Sequence, residues 1–317
     1  MYFRKTLIAG SLVLGAAATG LAAETRVTYK SAKTGSSYYQ MGVELAEAMK
    51  AGTDGEISVT VEESQGSVQN VMEVRARGAD YVFTTPPALV GLAQQGKAMF
   101  EGKSSPQFEE IRALFPIPSL TMHFVMSADS EATSLEDLAG KTILLGKGSF
   151  GANEGAKYLE LFGLSDDVTI ADAELSNAVN ALKNGRIDGF VTAGSFPAPN
   201  VIEAAASTPV TVLSLTDDQI AETKRTRLVI PAGTYAGQET DIVTTSLPVA
   251  AFTTTQMDDD TAYELTKTYW EQKEELADVS RWWNGVTPEL LENVTTAFHP
   301  GALRYYEEAG IAVPATN

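Results

Sequence analysis

The sequence has 317 residues, a formal net charge of −18 at pH 7, no cysteine and two histidines. So strong an acidic field repels nucleic acid and anionic lipid, and neither is expected as a partner. With no thiol, and with His123 and His299 far apart in the sequence, the usual spacings of zinc and calcium ligands are absent and no metal is expected.

Arg4-Lys5 precede an apolar run over residues 7–18, and small residues lead on to Ala22-Ala23. A positive start, a short apolar middle and a small-residue end predict a secretory signal peptide over residues 1–23, cleaved near residue 23. The run is shorter than the roughly 20 residues of a membrane span; an uncleaved anchor is the alternative reading. No cysteine follows it to carry a lipid, and no later stretch is apolar enough to span. The expected mature protein is exported to the periplasm, and its remaining length of about 290 residues suits two domains whose cores need no disulfide.

Residues 26–29 read as a strand. Residues 30–42, Lys-Ser-Ala-Lys-Thr-Gly-Ser-Ser-Tyr-Tyr-Gln-Met-Gly, turn it into a helical pattern that continues to Met49. Ser37 with Gln40 three residues on fits a capping box. The same turn aims N–H groups and hydroxyls outward at a helix start, which suits an anion. Residues 57–61 alternate as a strand, 66–77 are helical and 81–83 form a short strand. Thr85 fits as N-cap and Pro86 as first residue of a helix continuing over 88–95. This alternation of strand and helix predicts a parallel sheet with helices on its faces, an α/β fold.

Phe115-Pro-Ile-Pro118 breaks the pattern, and residues 120–126 read as a strand crossing to a second α/β domain. There follow a capped turn at 134–138, a strand at 141–145, a helix at 153–162 and a strand-helix pair over 168–183. A strand at 189–192, a helix reaching residue 206 and a strand at 210–213 complete it. Residues 244–253 cross back, a charged helix spans 258–278, and Thr287-Pro288 begins another. The expected division is a first lobe of residues 24–117 plus 256–317 and a second lobe of residues 118–255. The lobes echo each other: a helix, then Gly78 or Gly185, then a strand ending at Thr84 or Thr192. Each glycine fits the position just past a helix end. Arg281-Trp-Trp283 reads as packing for the C-terminal helices.

Gly146-Lys-Gly-Ser-Phe-Gly151 matches G-x-G-x-x-G between a strand and a helix, with Asp166, Asp167 and Asp172 near the distance of a ribose-binding acid. Nicotinamide cofactors are scarce outside the cytoplasm, so a general anion loop is preferred and no cofactor is expected. A P-loop fails because Gly148 follows Lys147, and no G-x-S-x-G elbow offers a nucleophile. The chain reads as a binding protein and not an enzyme. Its small or hydroxyl-bearing turns beside helix starts are Thr34, Gly35, Ser36, Ser37, Tyr38 and Tyr39; Ser64, Gly66 and Ser67; Thr84 and Thr85; Ser149, Phe150, Gly151 and Asn153; and Gly194, Ser195, Phe196 and Pro197. In an open α/β sheet such turns gather at the carboxyl ends of strands, where ligands bind. They are the expected ligand-binding residues. Arg75, Arg77 and Arg186 read as surface, which leaves hydroxyls and helix N-termini to hold a ligand's charge. His123 lies in an apolar strand and reads as a core or hinge residue.

Thr34-Gly-Ser-Ser-Tyr-Tyr39, Gly66-Ser-Val-Gln-Asn70, Gly78-Ala-Asp80, Pro231-Ala-Gly-Thr-Tyr235 and His299-Pro-Gly-Ala-Leu-Arg-Tyr-Tyr306 together resemble the TAXI family over residues 26–311. These are extracytoplasmic solute receptors of tripartite ATP-independent periplasmic (TRAP) transporters. The resemblance implies a two-lobed, type II-like periplasmic binding protein that closes on its ligand. It implies a small organic anion, the family's known ligands including glutamate, glutamine and 2-oxoglutarate, and delivery to a TRAP membrane permease driven by an ion gradient. First-lobe contacts would come from residues 34–39 and 64–67, second-lobe contacts from 148–153 and 194–197. Where the family often has Pro-Gly-Ser-Gly-Thr, this chain has Gly148-Ser-Phe-Gly-Ala-Asn153. Phe150 reshapes that wall, so glutamate is not carried over with the motif. The receptor is expected to be a monomer. A receptor for an ATP-driven importer and a periplasmic enzyme acting on a small anion are the alternatives.

Overall fold

A computed structural model describes residues 24–147 and 149–315. The expected signal peptide lies outside the described residues. The first elements are β1 (Thr25–Lys30), α1 (Ser37–Gly52), β2 (Ile57–Glu62), α2 (Ser67–Glu73), β3 (Tyr81–Thr85) and α3 (Pro87–Gln94). β1 pairs in parallel with β2 on one side and β3 on the other. In α1, Tyr38, Met41, Leu45, Ala48 and Met49 are buried, a spacing that gives one apolar helix face. Its N-cap is Ser36, not Ser37: the Ser36 hydroxyl accepts the Tyr39 N–H at 3.3 Å, while Gln40 donates to Glu44. Helix α3 also starts one residue later than expected, with Pro86 as cap and Pro87 inside. A residue preceding proline is held extended, so Pro86 cannot open the helix and Thr85 stays in its strand.

The proline-rich segment is continuous strand. β4 (Ile111–Ser127) runs through Pro116 and Pro118 without interruption. The buried carbonyls of Leu114, Pro116 and Pro118, every second residue, accept the hydroxyls of Tyr306 at 2.7 Å, Tyr269 at 2.5 Å and Tyr38 at 2.8 Å. Proline has no N–H to leave unpaired, so it fits this stretch of strand edge, where tyrosine hydroxyls face the carbonyls. Burial raises the pKa of Tyr38 and Tyr269 well above the usual phenol value, so both stay protonated as donors.

The chain continues through β5 (Thr142–Leu144), α4 (Phe150–Leu161), β6 (Thr169–Ala171), α5 (Ala178–Lys183), β7 (Gly189–Gly194), α6 (Pro199–Ser207), β8 (Val210–Val212), α7 (Asp217–Thr223), β9 (Thr226–Ile230) and β10 (Ile242–Thr254). Neither α7 nor β9 is anticipated above, although Thr216 and Gln219 form a full capping box ahead of α7. Gly185 has φ +63°, and the Gly185 and Arg186 N–H groups bond back to Leu182 and Ala181. That left-handed turn ends α5 as expected. Its counterpart Gly78 does not play this role, because α2 ends in a short 3-10 turn at Val74–Ala76. The charged stretch after β10 is two helices, α8 (Asp259–Glu271) and α9 (Lys273–Val279). The segment after Thr287 is a 3-10 run, Pro288–Asn293, before α10 (Pro300–Glu308).

One sheet passes through both lobes in the order β2-β1-β3-β10-β4-β7-β5-β6, with β9 on β10 and β8 on β4. β4 and β10 are the crossing strands. Their antiparallel ladder runs from Ile111–Thr254 to Thr121–Ser246, beyond which β4 pairs with β7 and β10 with β9. Midway, Pro118 and Ser119 of β4 stand between the Ile117–Val249 and Leu120–Leu247 pairs, opposite Pro248 alone. This bulge bends the ladder where the lobes meet. The larger core packs the first-lobe elements against the crossing strands, with Tyr81, Phe83 and Phe252 stacked in series, and continues into the second lobe through Ile143, Tyr158 and Leu159. A smaller core around Leu144, Leu182, Phe190 and Val201 fills the other side of the second lobe. Trp282 and Trp283 are buried, and both indole N–H groups donate to Glu44 on α1, at 3.1 and 2.7 Å. The tryptophan pair therefore packs the C-terminal segment onto the first lobe.

Candidate functional site

The turns that follow β1, β2 and β3 face those that follow β5, β6 and β7 across a cleft of about 650 Å³. Each trio is parallel within itself and presents its carboxyl ends to the cleft, where ligands of open α/β sheets sit, and the volume suits a small solute.

Buried polar residues fix the first-lobe wall. The Asn70 side-chain amide donates to the carbonyls of Ser31 and Thr84, each at 2.8 Å, tying the end of β1 to the end of β3. The Ser64 hydroxyl donates to the Ser31 carbonyl at 3.0 Å and accepts the Gly66 N–H at 2.9 Å. On the opposite wall Ser149 caps α4, accepting the Ala152 N–H at 2.9 Å and donating to the Gly146 carbonyl at 2.8 Å. Ser36 and Ser149 thus occupy matching positions at helix starts on opposite sides of the cleft. First-turn N–H groups that a helix cannot satisfy internally lie beside them.

Of the expected residues, Thr34, Gly35, Ser36, Tyr38, Gly66, Ser67, Thr84, Ser149 and Gly151 line the cleft. Ser37 does not; its buried hydroxyl accepts the Ser195 N–H at 3.1 Å and joins one lobe to the other. A side chain at Gly194 would meet that hydroxyl at 2.5 Å, so the two lobes touch closely there. Ser64 and Thr85 are buried behind the wall, and Asn153 faces solvent. Phe196 packs on the second-lobe core. Tyr39 and Pro197 line a neighbouring groove with Ile202, Val279 and Trp282. Gly148 and the Phe150 side chain lie outside the described residues.

The sequence reading missed Lys33, Glu63, Glu174 and Glu203, which also line the cleft. Lys33 directly precedes the Thr34–Tyr39 turn, whose hydroxyls and glycine carry the local signal. Its amine donates to Glu174 at 2.5 Å and to the Lys147 carbonyl at 2.7 Å, both across the cleft. No arginine lines the cleft among the described residues. Arg77 is partly buried between Glu62, the last residue of β2, and Glu73. Lys147 pairs with Asp172 at 3.0 Å, so one acid of the G-x-G-x-x-G reading is already engaged.

His123 is a structural residue of the crossing region. Its Nδ1 bonds the Thr121 carbonyl at 3.2 Å and so must carry the proton, which leaves Nε2 to accept the Tyr235 hydroxyl at 2.8 Å. Tyr235 in turn accepts the Ala198 N–H at 3.0 Å. Burial lowers the His123 pKa to about 4, against the opposing pull of its backbone bonds, so the ring is neutral. Among the described residues no three His, Asp or Glu side chains gather as a metal site, and no helix is long and apolar enough to cross a membrane.

Fold and cleft together define a periplasmic-binding-protein architecture of the type II-like kind. The chain is similar to the periplasmic binding protein BugD, at 11% identity and a TM-score of 0.55, over 92% of this chain and 99% of that one. It is similar to MatC from Rhodopseudomonas palustris with bound malate, at 12% identity and a TM-score of 0.55, over 90% and 97%. It is also similar to a putative sulfonate ABC transporter's periplasmic sulfonate-binding protein, SsuA from Methylobacillus flagellatus, at 13% identity and a TM-score of 0.51, over 93% and 98%. The model of the NMT1-like family matches residues 30–310, and the chain belongs to that TAXI/TRAP-associated solute-binding family. It is a solute-binding receptor of a transport system and not an enzyme.

Proposed function

We propose that this protein is a TAXI-type receptor, exported to the periplasm, that binds a small organic carboxylate and delivers it to an ion-gradient-driven TRAP permease. The observation that carries this reading is the cleft between the carboxyl ends of two parallel trios of strands, with serine-capped helix starts on both walls. Helix N-termini favour an anion through oriented N–H groups and the helix dipole. In MatC a fold of this kind holds malate, a dicarboxylate. The lobes are residues 24–117 with 256–317, and residues 118–255. Thr34, Gly35, Ser36, Tyr38, Gly66, Ser67 and Thr84 form the first ligand-binding wall, and Ser149 with Gly151 the second. Ser37 and Ser195 act one step back, as a bond between the lobes that forms only when they meet. Closure then gives the permease a shape that the open receptor lacks, and a ligand favours it by contacts with both walls.

The test is mass spectrometry of small molecules released from protein purified without added ligand, followed by thermal-shift titration with glutamate, 2-oxoglutarate, malate and a sulfonate series. A ligand at about 100 times its Kd adds about 2.7 kcal/mol of stability. A melting point that no carboxylate raises refutes the assignment. Uptake into proteoliposomes carrying the membrane partner separates the energy sources, since TRAP transport stops on collapse of the ion gradient and ignores ATP depletion.

A further inference from the structure

We infer that Lys33 is the residue that selects for a ligand carboxylate, and that Glu174 occupies its amine until the ligand arrives. The inference rests on the proposed function, in that the cleft takes a small carboxylate. Lys33 is the only Lys or Arg lining the cleft among the described residues. It belongs to the first-lobe turn after β1, yet both of its partners, the Glu174 carboxylate and the Lys147 carbonyl, belong to the second lobe. Its side chain is 17% exposed against 50% for Glu174. The Lys33 side chain is therefore mostly covered while its partner keeps one side in solvent.

Two consequences follow from that asymmetry. A guest carboxylate replacing Glu174 exchanges one ion pair for another, so the cost of taking the amine out of water does not recur on binding. An ammonium also has three donors, and Glu174 with the Lys147 carbonyl takes two, which leaves one for a second oxygen. The remaining acids of the lining, Glu63 and Glu203, are exposed on its rim. There water and salt screen them, so they repel a guest less than the sheltered amine attracts it. Before a ligand is present, the Lys33–Glu174 pair together with the Ser37–Ser195 bond spans the two lobes and biases the empty receptor toward closure.

The test uses Lys33→Gln and Glu174→Gln in the full chain, titrated calorimetrically with 2-oxoglutarate, malate and glutamate. Lys33→Gln weakens the best of these by about 10- to 100-fold, the loss of a charged hydrogen bond. Glu174→Gln tightens it by roughly two- to fivefold, the release of a partly exposed competitor. A second arm needs no ligand. The chain has no cysteine, so spin labels on Lys50→Cys and Asn180→Cys, one exposed position on each lobe, report the interlobe distance alone. Both glutamine variants lengthen that distance in the empty receptor. Wild-type binding retained by Lys33→Gln, binding weakened or left unchanged by Glu174→Gln, or an interlobe distance unmoved in both variants overturns the inference. A wild type that responds to none of the carboxylates overturns the proposed function, and the ligand-selecting role of Lys33 with it.

Discussion

Tyr269→Phe tests the claim that tyrosine hydroxyls hold the proline-bearing stretch of the outer edge of β4. The substitution removes one oxygen and keeps the ring, which stacks on Phe115 with centroids 4.0 Å apart. Packing is preserved, and what is lost is the 2.5 Å bond to the Pro116 carbonyl. That carbonyl is buried, and Tyr269 itself is 0% exposed, so no water substitutes without rearrangement. Leaving one buried acceptor unsatisfied costs about 1–3 kcal/mol. In urea unfolding followed by tryptophan fluorescence, this appears as a midpoint lowered by roughly 0.3–1 M at unchanged slope. Tyr306→Phe, which orphans the Leu114 carbonyl, behaves alike. Tyr305→Phe is the control: its hydroxyl has no hydrogen-bond partner among the described residues, and its effect stays within about 0.5 kcal/mol. If Tyr269→Phe and Tyr306→Phe are as stable as Tyr305→Phe, the edge is satisfied in some other way and the reasoning fails.

Gly301 is where α10 crosses α8. A Cβ there would overlap the Asp259 carbonyl oxygen and lie 2.8 Å from the Tyr263 nitrogen. Since both neighbours are backbone, Gly301→Ala destabilises by about 1–3 kcal/mol through overpacking, measured by the same urea titration; stability equal to wild type would show that the helices can separate freely. His123 gives a pH dependence. Its folded pKa of about 4 lies below the ordinary 6.5, so unfolding takes up a proton between those values. The neutral ring's contribution is complete above pH 6.5 and is lost as pH falls toward 4. The interval corresponds to about 3 kcal/mol. The stability of His123→Gln therefore falls less steeply than wild type between pH 6.5 and 4, and parallel curves would disprove the assignment.

The alternation of short β-branched runs with helical patterns made the parallel sheets and both crossing strands readable, because each such segment carries its own periodicity. Pro116 and Pro118 misled, since local rules penalise proline in a strand without knowing that one edge is free and lined with tyrosine hydroxyls. Adjacent serines misled in a smaller way. Ser36 and Ser37 are equivalent as caps locally, and a bond to Ser195, distant in sequence, sets their different roles. Within the site the turns were legible but their facing atoms were not. One residue along a helix rotates a side chain by about 100°, enough to put Tyr38 in the cleft and Tyr39 in the groove beside it. Lys33 and Glu174 meet only through closure of the whole fold, and no local pattern links them.

The ladder between the crossing strands has a further consequence. Thr121 and Ser246 are register partners at its far end, so the chain leaves the ladder and returns to it on the same rung. Everything between them is topologically a cassette spliced into a hairpin. Its loops and walls can diverge, lengthen or be exchanged while the host keeps its connectivity. A receptor built this way can change what it recognises by rewriting one contiguous stretch of sequence, and leave untouched the half that carries both chain ends.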